Sequence, residues 1–187
     1  MQALLKLTRF IDSLLGTISR IGACAALLLA FVIVYDVITR YYGVPKPFGI
    51  NSTQFQESEF WLHTILFATC IGYAYTSQAH VRIDLFRDRL PRKTKYLFEI
   101  FGCVVFLFPF ACMAFYYTTS YAHTSFLEGE VSKSVIGLTN IWILKSAIPL
   151  MFGLLLLAGL SQFIKAVAGF FGKLPDDMVQ GALGGDV

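Results

Sequence analysis

Charged residues are scarce in this sequence. Asp, Glu, Lys and Arg make up 14% of its 187 residues, and hydrophobic residues make up 56%. An ordinary soluble domain runs at about 25% charged and about 45–50% apolar, so the composition argues against a water-soluble globule. With 16% aromatic residues and a mean hydropathy of +0.65, a disordered or nucleic-acid-binding chain fits no better, since neither wants so much apolar surface. No nucleic-acid partner is expected.

The missing charges are missing in blocks. Stretches free of Asp, Glu, Lys and Arg cover residues 21–35, 60–81, 100–127 and 146–164. A spanning helix needs roughly 17–25 apolar residues, and a charge at the bilayer centre costs roughly 2.5–3.5 kcal/mol. Four spans are expected, at about 21–42, 60–81, 100–127 and 146–164; the first extends past Asp36 through Val37, Ile38, Tyr41 and Tyr42. Before them, Leu4, Leu7, Ile11, Leu14, Ile18, Ile21 and Ala25 recur at helical steps, with Lys6, Arg9, Ser13 and Arg20 largely off that face. Residues 1–20 therefore read as an amphipathic helix that lies at the interface or runs straight into the first span. A cleaved signal peptide is disfavoured because the apolar run follows Ala23 and Ala25 instead of preceding them. The expected fold is an all-α membrane protein: an amphipathic helix (1–20), a four-span domain (21–172) and a flexible tail (173–187), where Pro175, Asp176 and Asp177 end the apolar pattern.

The basic residues set the orientation. One side collects Lys6, Arg9, Arg20, Arg82, Arg87, Arg89, Arg92, Lys93, Lys95, Lys165 and Lys173; the other holds only Arg40, Lys46, Lys133 and Lys145. Eleven against four places both termini in the cytoplasm by the positive-inside rule. Tyr41, Tyr42, Trp61, Tyr116, Tyr117, Tyr121 and Trp142 then fall at the outer ends of the helices, where amphipathic rings prefer to sit.

Chemistry-bearing patterns are equally sparse. Cys24, Cys70, Cys103 and Cys112 lie inside spans, form no C-x-x-C pair, and read as small packing residues. No ionisable residue lies near the middle of a span and no internal repeat relates the two halves, which are the usual marks of an intramembrane solute site. Pro109 and Pro149 are isolated and read as packing kinks. No catalytic, substrate-binding or metal-binding residue is expected, and the chain is not read as an enzyme. One alternative is kept: His63 and His123 fall near the outer ends of spans two and three, where they are candidate axial ligands of a b-type haem in a respiratory membrane anchor.

Two polar constellations remain. His80, Arg82, Asp84, Arg87 and Arg89 stand where span two leaves the membrane, as either a salt-bridged junction or a lipid-phosphate site. Glu57 and Glu59 precede Trp61 at the start of span two, and Glu128 and Glu130 follow span three; they read as solvated residues or partner contacts.

Taken in order, these motifs resemble one family. They are Gln56, Glu57 and Glu59; His80-Val81-Arg82-Ile83-Asp84-Leu85-Phe86; Asp88-Arg89-Leu90; Phe108-Pro109-Phe110; Glu128-Gly129-Glu130-Val131-Ser132; Gly137-Leu138; Trp142 through Leu150, including Lys145; and Gly159-Leu160 with Ile164-Lys165. The chain is similar to the small membrane subunit, DctQ type, of tripartite ATP-independent periplasmic (TRAP) transporters, nearest the branch handling 2-oxoacids, lactate, mannitol or aromatic acids. The resemblance implies a scaffold in the bacterial inner membrane for a large DctM-type subunit. It further implies a periplasmic binding protein that delivers an organic acid, no cofactor of its own, and a sodium gradient used by the large subunit. Glu57, Glu59, Trp61, His80, Arg82, Asp84, Arg87, Arg89, Trp142 and Lys145 are then the expected contacts with partners or membrane lipids.

Overall fold

The computed structural model describes residues 2–44, 46, 49–79, 90–134 and 136–183, and its regular structure is helical. The first helix, α1 (Gln2–Tyr41), is unbroken. At roughly 1.5 Å per residue its 40 residues reach about 60 Å. The expected interfacial helix and first span are thus one rod, since nothing between Leu4 and Val37 breaks helical geometry. Its buried residues Leu5, Thr8, Ile11, Leu15, Gly22, Ala25 and Leu29 share Ile11 and Ala25 with the predicted apolar face, and Leu5, Thr8, Leu15 and Gly22 lie one position on from it. Leu4, Leu7, Leu14 and Ile21 point outward and are 38–58% exposed. In lipid an outward leucine costs nothing, so small and polar residues are free to take the helix contacts. The rod stops at Gly43, whose φ of +63° is open to glycine, and the Val44 N–H closes back on the Thr39 carbonyl at 3.0 Å.

The second helix, α2 (Ser52–Thr76), starts within the polar run, so Glu57 and Glu59 lie in its first turns instead of in a loop before it. It ends at Thr76, short of the expected end at residue 81; Gln78 takes a positive φ of 58° in the turn that follows. Next comes a continuous composite: α3 (Arg92–Gly102), a π-helical turn (Cys103–Leu107) and α4 (Phe108–Leu127). Pro109 cannot supply an N–H and its ring crowds the carbonyl four residues back, so the widened π turn just ahead of it accommodates the expected kink. Helix α5 (Ile141–Phe170) contains Pro149, and a short helix, α6 (Asp176–Leu183), follows.

By length and composition, α1, the α3–α4 composite and α5 are each long and apolar enough to cross a membrane. Helix α2, with 25 residues, is a fourth long helix of more mixed composition. Helices α1, α2 and α5 pack on one another, and the α3–α4 composite leans chiefly on α5. Ile11, Leu15, Leu154 and Ala158 form the centre of the three-helix contact. Close approach depends on glycine: a Cβ at Gly72 of α2 would sit 2.8 Å from Leu15 Cδ2 and 3.0 Å from the Leu154 carbonyl oxygen.

The tail departs from expectation. Residues 173–187 were expected to be flexible, yet α6 packs back on the bundle. Ala182 and Leu183 are buried with Tyr96 and Ala166, and Met178 is buried with Leu5 and Ala168. Asp176 and Asp177 occupy the first turn of α6, where carboxylates favour a helix N-terminus, so the charges that seemed to end the structure start a new element.

Gly72→Leu is expected to lower the stability of the detergent-solubilised protein by about 1–3 kcal/mol through overpacking, seen as a fall in thermal midpoint. Gly102→Leu, where a Cβ meets nothing within 4 Å, leaves the midpoint nearly unchanged by comparison.

Candidate functional site

Among the described residues, the ionisable groups that pair within the apolar bundle gather at its two ends. At one end, Asp36 is fully buried on α1 and pairs with Arg40, one turn on, and with Lys46 from the following loop. The Lys46 side chain is only 6% exposed and its ammonium lies 4.4 Å from the centroid of the Phe55 ring on α2. Burial holds the Lys46 pKa below the ordinary lysine value, and the nearby Arg40 charge pushes the same way; Glu59 opposes both. With its amide oxygen turned toward Arg40, Gln56 accepts from that guanidinium at 2.8 and 3.2 Å. One buried carboxylate thus ties the end of α1 to the start of α2.

Glu57 ties the same region to residues 128–140. Its carboxylate accepts from the Ser132 hydroxyl and from the Leu138 backbone N–H. The Ser134 N–H donates to Ser132 Oγ at 3.2 Å, and the Ser132 N–H to the Leu138 carbonyl at 3.2 Å. A Cβ at Gly137 would collide with Glu57 and Ser132, so the Gly137 position is what lets the loop close over the carboxylate. Asn140 completes the turn with a φ of 60°, a conformation asparagine tolerates better than most residues.

A third pairing joins α4 to α5. Glu130 bonds to Lys145 and accepts from the Ser125 hydroxyl at 2.6 Å, while the Lys145 ammonium lies 4.0 Å from the Tyr121 ring centroid. The bond from Lys145, then that from Ser125, holds the Glu130 pKa below the usual carboxylate value. Trp142 packs edge-on against Phe126 at 5.1 Å between centroids.

The opposite end has its own brace. Lys165 of α5, with its side chain 4% exposed, pairs with Asp12 of α1 at 2.6 Å, and the buried Ser161 hydroxyl donates to Asp12 at 2.7 Å. Over this pair sits α6. The fully buried Gln162 donates to the Ala182 carbonyl at 2.5 Å, Gln78 donates to the Gly181 carbonyl at 3.1 Å, and Arg9 pairs with Asp177 at 3.0 Å. A cavity of about 190 Å³ remains between Asp12, Tyr73, Thr76, Lys165 and Met178.

These two belts are spaced like a bilayer. Asp12 and Asp36 are about 36 Å apart along α1, and Lys145 and Lys165 about 30 Å along α5, by helical rise. The hydrocarbon core of a membrane is about 30 Å thick.

The expected site residues therefore divide. Glu57 and Lys145 are committed to contacts inside the chain, and Trp142 packs within it. Trp61 and Glu59 are half-buried; Glu59 makes no hydrogen bond or ion pair among the described residues, and its charge acts on Lys46. His80, Arg82, Asp84, Arg87 and Arg89 lie outside the described residues. His63 and His123 do not face each other as haem ligands. Both are exposed, His63 stacks on Phe67 of its own helix, and the packing that links α2 and α4 runs through α5. Among the described residues no group of three or more His, Cys, Asp or Glu is placed to hold a metal ion. Asp12, Asp36 and Ser161 were missed as site residues. The available signal was a lone acid in an apolar helix with bases at compatible positions, Arg40 and Lys46 for Asp36 and Lys165 for Asp12.

A family model describing the DctQ component of tripartite ATP-independent periplasmic transporters matches residues 17–169. No curated protein matches, and no solved structure matches.

Two outcomes test the braces. Lys165→Met leaves the Asp12 carboxylate without its cation and is expected to cost about 3 kcal/mol. Adding Asp12→Leu should recover part of that loss in a double-mutant cycle of thermal midpoints. The lowered Glu130 pKa means that its contribution to stability is present above the ordinary carboxylate value of 4.5 and is lost as pH falls through the lowered one. Below pH 4.5 the wild-type midpoint should therefore fall toward that of Glu130→Gln, whose own profile is flatter.

Proposed function

This chain belongs to the DctQ component family of tripartite ATP-independent periplasmic transporters, and on that premise we propose that it is the fixed scaffold against which a large DctM-type subunit works. Membership makes it the small subunit of such a transporter, a transport component and not an enzyme. The observation that carries the scaffold reading is the use of charge. The ionisable groups brought into the bundle, Asp12, Asp36, Glu57, Lys46, Lys145 and Lys165, are all spent on bracing one helix or loop against another. A solute path needs such groups turned toward the solute.

In this reading α2 is the fourth span and both termini are cytoplasmic, in accord with the eleven-to-four division of basic residues. The Asp12–Lys165 end is then cytoplasmic, and the end with Asp36, Glu57 and Glu130 is periplasmic. There the loop over Glu57 is a firm platform for a periplasmic binding protein, with Glu59 and Trp61 beside it. On the cytoplasmic side His80, Arg82, Asp84, Arg87 and Arg89 contact the large subunit. The transported solute is an organic acid, and the sodium gradient is used by the large subunit.

Reconstitution tests this. The chain alone in liposomes should move no organic acid, whereas liposomes containing the large subunit as well should take it up when the binding protein and a sodium gradient are supplied. Flux through the chain alone would overturn the scaffold reading. Arg82→Ala combined with Asp84→Ala should reduce recovery of the large subunit in co-purification; unchanged recovery would remove the junction from the interface.

A further inference from the structure

One groove beside α1 carries three hydrogen-bonding groups that have no partner among the described residues. It has a volume of about 380 Å³ and is bounded by Ser13, Gly16, Thr17, Ser19, Arg20, Ala23 and Tyr73. Arg20 is exposed and has no ion-pair or hydrogen-bond partner among the described residues; the Ser13 and Tyr73 hydroxyls have none either. The Thr17 and Ser19 hydroxyls are already used, donating to the carbonyls of Ser13 and Gly16 at 2.9 Å each. No carboxylate lines the groove.

The depth of the groove decides what fills it. Arg20 stands about 12 Å along α1 from Asp12, on the apolar side of that belt. Long side chains on a helix lean toward its N-terminus, and an arginine near a membrane boundary stretches its stem to bring the guanidinium back to polar surroundings. That path runs over Gly16 and Thr17 toward Ser13, where the absence of a side chain at Gly16 leaves the notch open. A Cβ there would touch only the Tyr73 ring, at an ordinary 3.6 Å.

We propose that this groove is a phospholipid site: Arg20, with the Ser13 and Tyr73 hydroxyls, binds the phosphodiester of one headgroup from the leaflet at the Asp12–Lys165 end. A phosphate offers acceptor oxygens and one negative charge, which match a cluster of donors carrying one positive charge. The groove opens outward to lipid, so the acyl chains follow the exposed apolar flank of α1 formed by Leu27, Leu28 and Phe31. The braces use none of its three free donors, although Tyr73 also borders the cavity beside Asp12 and Lys165.

Native mass spectrometry of the full chain, purified in detergent, tests the proposal with three probes: dioctanoyl phosphatidylglycerol, dioctanoylglycerol and inorganic phosphate. One phosphatidylglycerol per chain is expected to bind, with little binding of the other two. Arg20→Gln and Gly16→Leu, which remove the charge and fill the notch separately, should each weaken that binding at least tenfold while leaving the thermal midpoint unchanged. Equal lipid binding by both variants would overturn the proposal. So would inorganic phosphate binding as tightly as the lipid, which would mark a free-anion site, or dioctanoylglycerol binding as well as phosphatidylglycerol. A large-subunit carboxylate cross-linked to a reactive group at position 20 in the assembled complex would also overturn it, by assigning the groove to a protein partner. The lipid measurement uses this chain alone, so its outcome is independent of whether the scaffold reading holds.

Discussion

The Asp12–Lys165 pair is the interaction on which most of the arrangement depends, because it joins the first and last of the long helices through a lysine withdrawn from water. A lysine with 4% of its side chain exposed would be costly to hold charged without the carboxylate, and Ser161 supplies that carboxylate with a further donor. With α1 and α5 joined at this level, Ile11 and Leu15 come against Leu154 and Ala158, and Gly72 of α2 enters the remaining gap. The short helix α6 then lies over the pair, bound by Gln78 and Gln162 through carbonyls of its last turn, which its own helix leaves unsatisfied.

The other end solves the same problem with three smaller braces instead of one. Asp36 secures α1 to α2, Glu57 secures α2 to the 128–140 loop, and Glu130 secures that region to α5 through Lys145. Two firm ends joined by helices that meet lipid over much of their surface make a stiff frame. That suits the scaffold role proposed above. The α3–α4 composite, which leans chiefly on α5, is less enclosed than α1 or α5: 11% of its most apolar stretch is buried, against 22% for each of theirs. Much of the apolar surface open to lipid or to a neighbouring subunit lies there.

Much of this was legible in the residues themselves. Each charge-free stretch overlaps one long helix, and the order of short motifs from Gln56 to Lys165 indicated the family. What misled was local grammar read without a partner. Pro175, Asp176 and Asp177 looked like the end of structure and instead begin α6, whose burial depends on Tyr96 and Ala166, far away in sequence. Glu57 looked like a solvated group or a partner contact and is instead the centre of a loop, because Ser132 and the Leu138 N–H arrive from more than seventy residues on. His63 and His123 invited a cofactor, but the helix packing leaves both side chains outward.

The sequence by itself determined the membrane class, the approximate placement of the long helices and the family. These follow from one-dimensional quantities: how far an apolar run extends, how basic residues are apportioned, and in what order motifs occur. Only the tertiary structure decided which charges are paired, that α1 is one rod whose buried seam runs through Leu5, Ile11, Leu15, Ala25 and Leu29, and that Arg20, Ser13 and Tyr73 share one groove. The physical reason is that lipid, unlike water, does not sort apolar side chains to one face, so the periodicity that marks a core in water carries little information here. A paired carboxylate is recognised only by the donors around it: for Asp12 and Glu57 those donors come from other elements of the fold, and for Asp36 from one turn on in its own helix and from the loop that follows.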